Sequence, residues 1–176
     1  MQKGGFVKKG ALWTALSFLA VSAPALAVQG NLHWHTIHIQ IPVRLKHAKV
    51  VFNMDHPVFI PHTKEPVGLS QLRMMVAKFT RDHTRWKIDA VFQGADGYML
   101  LNDKAYNQFM HVRTGNPYRG QIEALFHKGV DIEECGVTMR AHHWGNKQLL
   151  PNVKVNAGAV ARIIWLEQHG YIEVNP

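Results

Sequence analysis

Cysteine occurs once in this 176-residue chain, at Cys135, and histidine occurs twelve times. A single cysteine cannot close a disulfide within the chain. It is buried and inert, pairs with another molecule, or is a free thiol with a role. Cys135 follows Val130–Glu134, which reads as a short strand, and leads through Gly136 into Val137–Trp144, which reads as a helical turn or short helix. The free N–H groups of a helix starting there would favour the thiolate over the thiol. Arg140, His142 and His143 follow closely enough to add positive charge or help admit an anionic donor. Glu133 and Glu134 would oppose that effect, but side chains alternate along a strand, so at most one shares the cysteine's face. The competing reading is a small buried hydrophobe, as most lone cysteines are. Position alone leaves both open.

The histidines suggest a second chemistry. His33, His35 and His38 form an H-x-H-x-x-H cluster. On a strand, His33 and His35 would share a face, a spacing suited to Cu(II), Zn or Ni. His142 and His143 could join Cys135 in a mixed nitrogen–sulfur site for zinc or copper. His56 and His62 flank a proline-rich loop at the sheet edge where Cys135 is expected. Against this stands the simpler reading of solvated or singly hydrogen-bonded histidines. Asn53, Asp55 and Asp96-Gly97 fall at strand ends and could line the same cleft, with turn chemistry favoured for Asp96-Gly97. Trp86, Trp144 and Trp165 read as core or interface aromatics. Gly94-Ala95-Asp96-Gly97 lacks the glycine spacing of a dinucleotide site. No Ser/His/Asp or paired-carboxylate hydrolase pattern is present.

These residues need a scaffold, and the hydrophobic pattern supplies one. Ala48–Asp55 is a compact, β-branched apolar run, predicted as the first buried strand. Three prolines between His56 and Val67 make a loop. Leu69, Leu72, Met75, Val76 and Phe79 recur at helical spacing within Gly68–His83, with Ser70 suited to the helix start. Trp86–Gln93 is the second strand, and Gly94–Gly97 the turn after it. Asn102–Val112 and Tyr118–Lys128 read as helices separated by Gly115-Asn116-Pro117. Gly129 closes the second of them as a C-terminal cap. Asn152–Asn156 is a short strand, Ala157–His169 a helix closed by Gly170, and Tyr171–Val174 a last strand. Strands alternating with helices predict a mostly parallel sheet in a three-layer α/β/α sandwich. There is no internal repeat and no interior linker.

The N-terminus reads as a targeting segment. Lys3, Lys8 and Lys9 precede the short apolar run Ala11–Ala20, and Ala25-Leu26-Ala27 supplies the small residues of a cleavage site. This is the pattern of a secretory signal cleaved near Ala27. The run falls short of the ~20 residues that span a bilayer, so no stable membrane anchor is expected. The expected divisions are a leader over 1–27, a histidine-containing arm over 28–47 and an α/β domain over 48–176. The product would be periplasmic or secreted. Formal charge is +8, and three of the lysines lie in the leader. The remaining basic residues are scattered, so no nucleic-acid surface is expected. With 47 % hydrophobic residues the chain has ample material for a buried core.

Ala48–Pro176 resembles the DsrE/DsrF-like family, which includes the YchN-like sulfur-relay proteins. The residues that carry the likeness are Gly129–Met139 (GVDIEECGVTM), Leu150-Pro151-Asn152-Val153-Lys154-Val155, Gly170-Tyr171 and the opening Ala48–Asp55 (AKVVFNMD). The resemblance implies a flavodoxin-like α/β/α sandwich, a homo-oligomer (trimer or hexamer), and no required cofactor. It implies that Cys135 matches the residue that carries sulfane sulfur as a persulfide, as a sulfur carrier or sulfurtransferase. An exported donor or acceptor protein would replace the usual cytoplasmic partners. The alternative expectation is a periplasmic Cu- or Zn-binding accessory module using the histidine arm. A scaffold with no chemistry of its own is the third.

Overall fold

A computed structural model describes residues 36–176. The expected leader, and His33 and His35 with it, lie outside the described residues. Residues Ile41–Pro176 form one unit. In the other, the described residues 36–40 have no regular structure and are exposed, His38 among them.

Two eight-residue strands form the middle of the sheet: β1, His47–Met54, and β2, Arg85–Phe92. Each ends in five consecutive buried residues, the signature of a parallel strand covered on both faces. Between them runs α1, Val67–Arg81. Its buried stripe of Leu69, Leu72, Val76 and Phe79 follows helical spacing. Pro66, not Ser70, precedes its first turn. Proline's fixed φ presets the entry, and Ser70 is buried one turn inside. The turn after β2 is longer than the four residues expected: Gly94–Leu100 winds as a 3-10 helix. Then follow α2, Asp103–Met110; α3, Arg119–His127; β3, Asp131–Cys135; α4, Gly136–Ala141; β4, Lys154–Asn156; α5, Ala159–Gln168; and β5, Ile172–Val174.

The five strands are all parallel in the order β4-β3-β2-β1-β5. The first three connections step the chain one way across the sheet. The last one returns it past β1. Right-handed crossovers therefore force α1, α2 and α3 onto one face and α5 onto the other. Packing agrees: Val50, Phe52, Ile88, Phe92 and Ile132 join α1, α2 and α3 in the main core, while Val51, Val91 and Cys135 join Ala159, Ile163 and Leu166 of α5. This is the three-layer α/β/α, flavodoxin-like arrangement expected from the sequence. Among the described residues no helix is long and apolar enough to cross a membrane.

Candidate functional site

Ligands of open parallel sheets gather beyond the carboxyl ends of the strands, near the place where winding reverses. Cys135 is the last residue of β3, paired in register with Asn156, the last residue of β4. From Cys135 the chain passes directly into α4, and from Asn156 it passes through two residues into α5. Both helices begin beside the sulfur. Gly136 permits this closeness: a Cβ there would stand 2.6 Å from the Asn156 carbonyl oxygen.

The sulfur is surrounded by donors. The Ala159 N–H donates to Cys135 Sγ at 3.3 Å. The Thr138 hydroxyl accepts from the Gly94 N–H at 2.8 Å, which leaves its own hydrogen to donate. Burial alone would raise the Cys135 pKa. Hydrogen bonds from the Thr138 N–H, the Ala159 N–H, the Thr138 hydroxyl and the Val137 N–H outweigh it and hold the thiol below its ordinary value. Cys135 is only 3 % exposed. It nevertheless lines an open hollow of about 500 Å³, walled by Gln93, Gly94, Val137, Gly158–Ala161 and Ile164. The positive φ of Gly94, +54°, turns the chain after β2 so that its N–H faces Thr138.

The two glutamates before Cys135 are disarmed by different means. Glu133 shares the cysteine's face, as alternation requires. Its carboxylate is gripped by Arg162 of α5, with Nη2 at 2.6 Å from Oε1 and Nε at 2.9 Å from both oxygens. Asn156 Nδ2 donates to it at 3.1 Å, and Arg162 Nη2 also reaches Asp89 at 3.3 Å. Glu134 lies on the opposite face with no exposure at all. Its Oε1 accepts the Cys135 N–H at 3.1 Å, while Oε2 has no partner among the described residues. Burial pushes its pKa up to about 9, so it is neutral at pH 7. Asp96 is also buried, with Oδ1 unpartnered. Burial and the neighbouring Asp55 raise it to about 6. Turn chemistry therefore does not account for Asp96, because its carboxyl is buried in the turn that covers Glu134.

The other sequence candidates fall elsewhere. Arg140 is exposed near the far end of α4. His142 stacks on Trp144 at 4.6 Å, edge-on to Phe109 at 5.3 Å. With His143 and His111 these residues line a separate hollow of about 420 Å³. Arg140, His142 and His143 are not among the residues that line the hollow at Cys135. The mixed nitrogen–sulfur set is not assembled: among the described residues no group of three or more His, Cys, Asp or Glu side chains could hold a metal ion. Asn53 is committed to its neighbours, donating to Glu173 and accepting from Gln93, both at 2.8 Å. Asp55 pairs with His56, and His62 is exposed. Trp86 packs against the main core, whereas Trp165 is half-exposed, stacked on His169 at 3.8 Å.

Sequence reasoning missed Thr138, Ala159 and Arg162. Thr138 was within reach, three residues from Cys135 on a predicted helical turn. Ala159 acts through its backbone, so its side chain carries no signal. Arg162 meets Glu133 only because α5 covers the face of the sheet to which Glu133 points.

No family model matches the chain, and no curated protein matches it. Among solved structures it is similar to a protein of unknown function from Methanobacterium thermoautotrophicum. The identity is 20 %, over 73 % of this chain and 99 % of that one, with a TM-score of 0.54. This likeness is one of fold. The ychN protein from E. coli aligns at 14 % identity over 73 % of this chain and 99 % of its own, with a TM-score of 0.46.

Proposed function

We propose that this chain is an exported DsrE-like protein of sulfur metabolism in which Cys135 accepts a sulfane sulfur and hands it on. The observation that carries the reading is the Ala159 N–H donating to Cys135 Sγ at 3.3 Å at the edge of an open hollow, with hydrogen bonding at Thr138 also holding the thiol below its ordinary value. An inert core cysteine has no need of such donors. A nucleophile does, because the thiolate is the attacking species. The export half of the reading rests on the leader pattern of residues 1–27, and the family half on the residues around Cys135.

The step needs no metal and no outside oxidant. The Cys135 thiolate attacks the outer sulfur of a donor R–S–S⁻. A bond forms between Cys135 Sγ and that sulfur, the donor's S–S bond breaks, and R–S⁻ leaves with the bonding pair. Thiosulfate reacts in the same way and releases sulfite. The product, Cys135–S–S⁻, keeps one negative charge, which now lies one atom further out. The N–H donors that stabilise the thiolate also suit this anion. Transfer onward is the reverse attack, by an acceptor thiolate on the outer sulfur. The hollow of about 500 Å³ has room for a small donor beside the thiol.

Intact-mass measurement after incubation with thiosulfate or polysulfide tests this. The expected result is a gain of about 32 Da, one sulfur atom, mapped to Cys135, absent in Cys135→Ser and reversed by a thiol reductant. A wild-type chain that stays unmodified while its thiol is titratable only after unfolding would end the sulfur reading.

A further inference from the structure

The hollow beside Cys135 has a wall that the core does not account for. Helix α5 meets the sheet through Ala159, Ile163 and Leu166. A helix lying on a sheet ordinarily turns polar residues outward. Beside Cys135, α5 turns out Val160, Ala161 and Ile164 instead, with Val160 67 % and Ile164 50 % exposed. Val137, in the first turn of α4, joins the same wall and is 53 % exposed. Exposed apolar residues scattered singly are ordinary, but these line one hollow together with a thiol.

The same wall has no charge. The chain carries 20 lysines and arginines and 12 histidines, yet among the described residues none of them lines this hollow, and no acid does. Arg162, the one cation of α5, is held on Glu133 and Asp89. The two polar side chains in the lining are committed: Gln93 Nε2 donates to Asn53 at 2.8 Å, and the Thr138 hydroxyl accepts from the Gly94 N–H at 2.8 Å. The hollow at Trp144 differs, being lined by three histidines. An anionic group entering the hollow at Cys135 would give up hydration with no countercharge to replace it. An apolar group would release water from the wall. Negative charge is answered only at the sulfur itself, where the Ala159 N–H donates.

Resting on the reading of Cys135 as a sulfur acceptor, we propose that this hollow selects donors with an apolar, uncharged body, hydropersulfides R–S–S⁻ in which R is an alkyl or aryl group. R lies against Val137, Val160 and Ile164, and the charged sulfur end faces the Ala159 N–H. Cys135 Sγ bonds to the outer sulfur, the donor's S–S bond breaks, and R–S⁻ leaves with the bonding pair and takes a proton from water. A hollow of about 500 Å³ holds a ring-sized R as well as the reacting sulfurs. Thiosulfate, a dianion, and the charged body of a peptide hydropersulfide gain nothing from the wall.

Two measurements on the full chain test it. The first is alkylation of Cys135 by N-benzyl iodoacetamide and by iodoacetate, which share a leaving group and differ in body and charge. The benzyl-to-acetate rate ratio is expected to be about tenfold higher in the folded chain than in urea, the effect of burying part of one ring. Ile164→Lys and Val160→Lys, each at an already exposed position, are expected to remove that preference with unchanged circular dichroism. The second is the rate at which benzyl hydropersulfide and glutathione hydropersulfide add about 32 Da to Cys135, with the benzyl donor expected to be faster by a similar factor. Equal ratios in folded and unfolded chain, a preference that survives both lysine variants, or a folded thiol closed to both alkylating reagents overturns the proposal. Sulfur added equally well from both donors overturns it while the sulfur reading stands. Selective alkylation with no sulfur added from either donor ends the sulfur reading, and this proposal with it.

Discussion

At the scale of single residues, the site depends on how one sulfur is solvated. Cys135 has traded water for backbone N–H groups and one hydroxyl, and the trade favours the charged form. Thr138 contributes a hydroxyl that a valine of the same shape would remove. In Thr138→Val the thiolate absorbance near 240 nm should appear at higher pH, by roughly one unit, equivalent to the ~1.5 kcal/mol of a hydrogen bond to a charged group. Alkylation at neutral pH should slow in proportion. An unchanged titration would show that the N–H groups suffice. The cysteine and its helical turn were legible in the sequence, since a strand followed by Cys-Gly and a helix start places N–H donors near the sulfur. His142 and His143, which the sequence set near Cys135, line the hollow at Trp144 instead of the one at the thiol.

At the scale of elements, α5 does more than cover the second face. Its first turn supplies the Ala159 N–H, and its next turn supplies Arg162 to Glu133 and Asp89. Both carboxyl groups are nearly fully buried. Removing the guanidinium would strand them, and breaking a buried pair from one side costs about 3 kcal/mol or more. Arg162→Met should therefore lower the urea midpoint clearly. Because Glu133 shares the face of Cys135, the variant should also raise the thiol pKa. Loss of stability with an unaltered thiol titration would limit Arg162 to a structural role. Alternation along β3 predicted that only one glutamate could face the cysteine. Alternation also selects Glu133, but that Arg162 of α5 answers it required the tertiary structure.

For the molecule as a whole, the buried carboxyls make stability depend on pH. Glu134, raised to about 9, and Asp96, raised to about 6, hold protons in the folded state that the unfolded chain releases near pH 4. The folded state then binds more protons, so stability falls as pH rises, through about pH 6 for Asp96 and through about pH 9 for Glu134. Glu134→Gln removes the larger contribution. Urea unfolding should show wild type losing a few kcal/mol between pH 5 and 9, with the variant flatter and more stable at pH 8. Equal slopes would mean that Glu134 is not buried as described. The sequence by itself determined the alternation of strands and helices, because burial on a parallel sheet writes itself into local runs of apolar residues. It also placed Cys135 at a strand end. Only the tertiary structure decided which charges matter. Whether Glu134 is neutral, whether Arg162 reaches Glu133 and whether the Ala159 N–H meets the sulfur all depend on residues brought together across the sheet, and no local pattern encodes the desolvation or the contact.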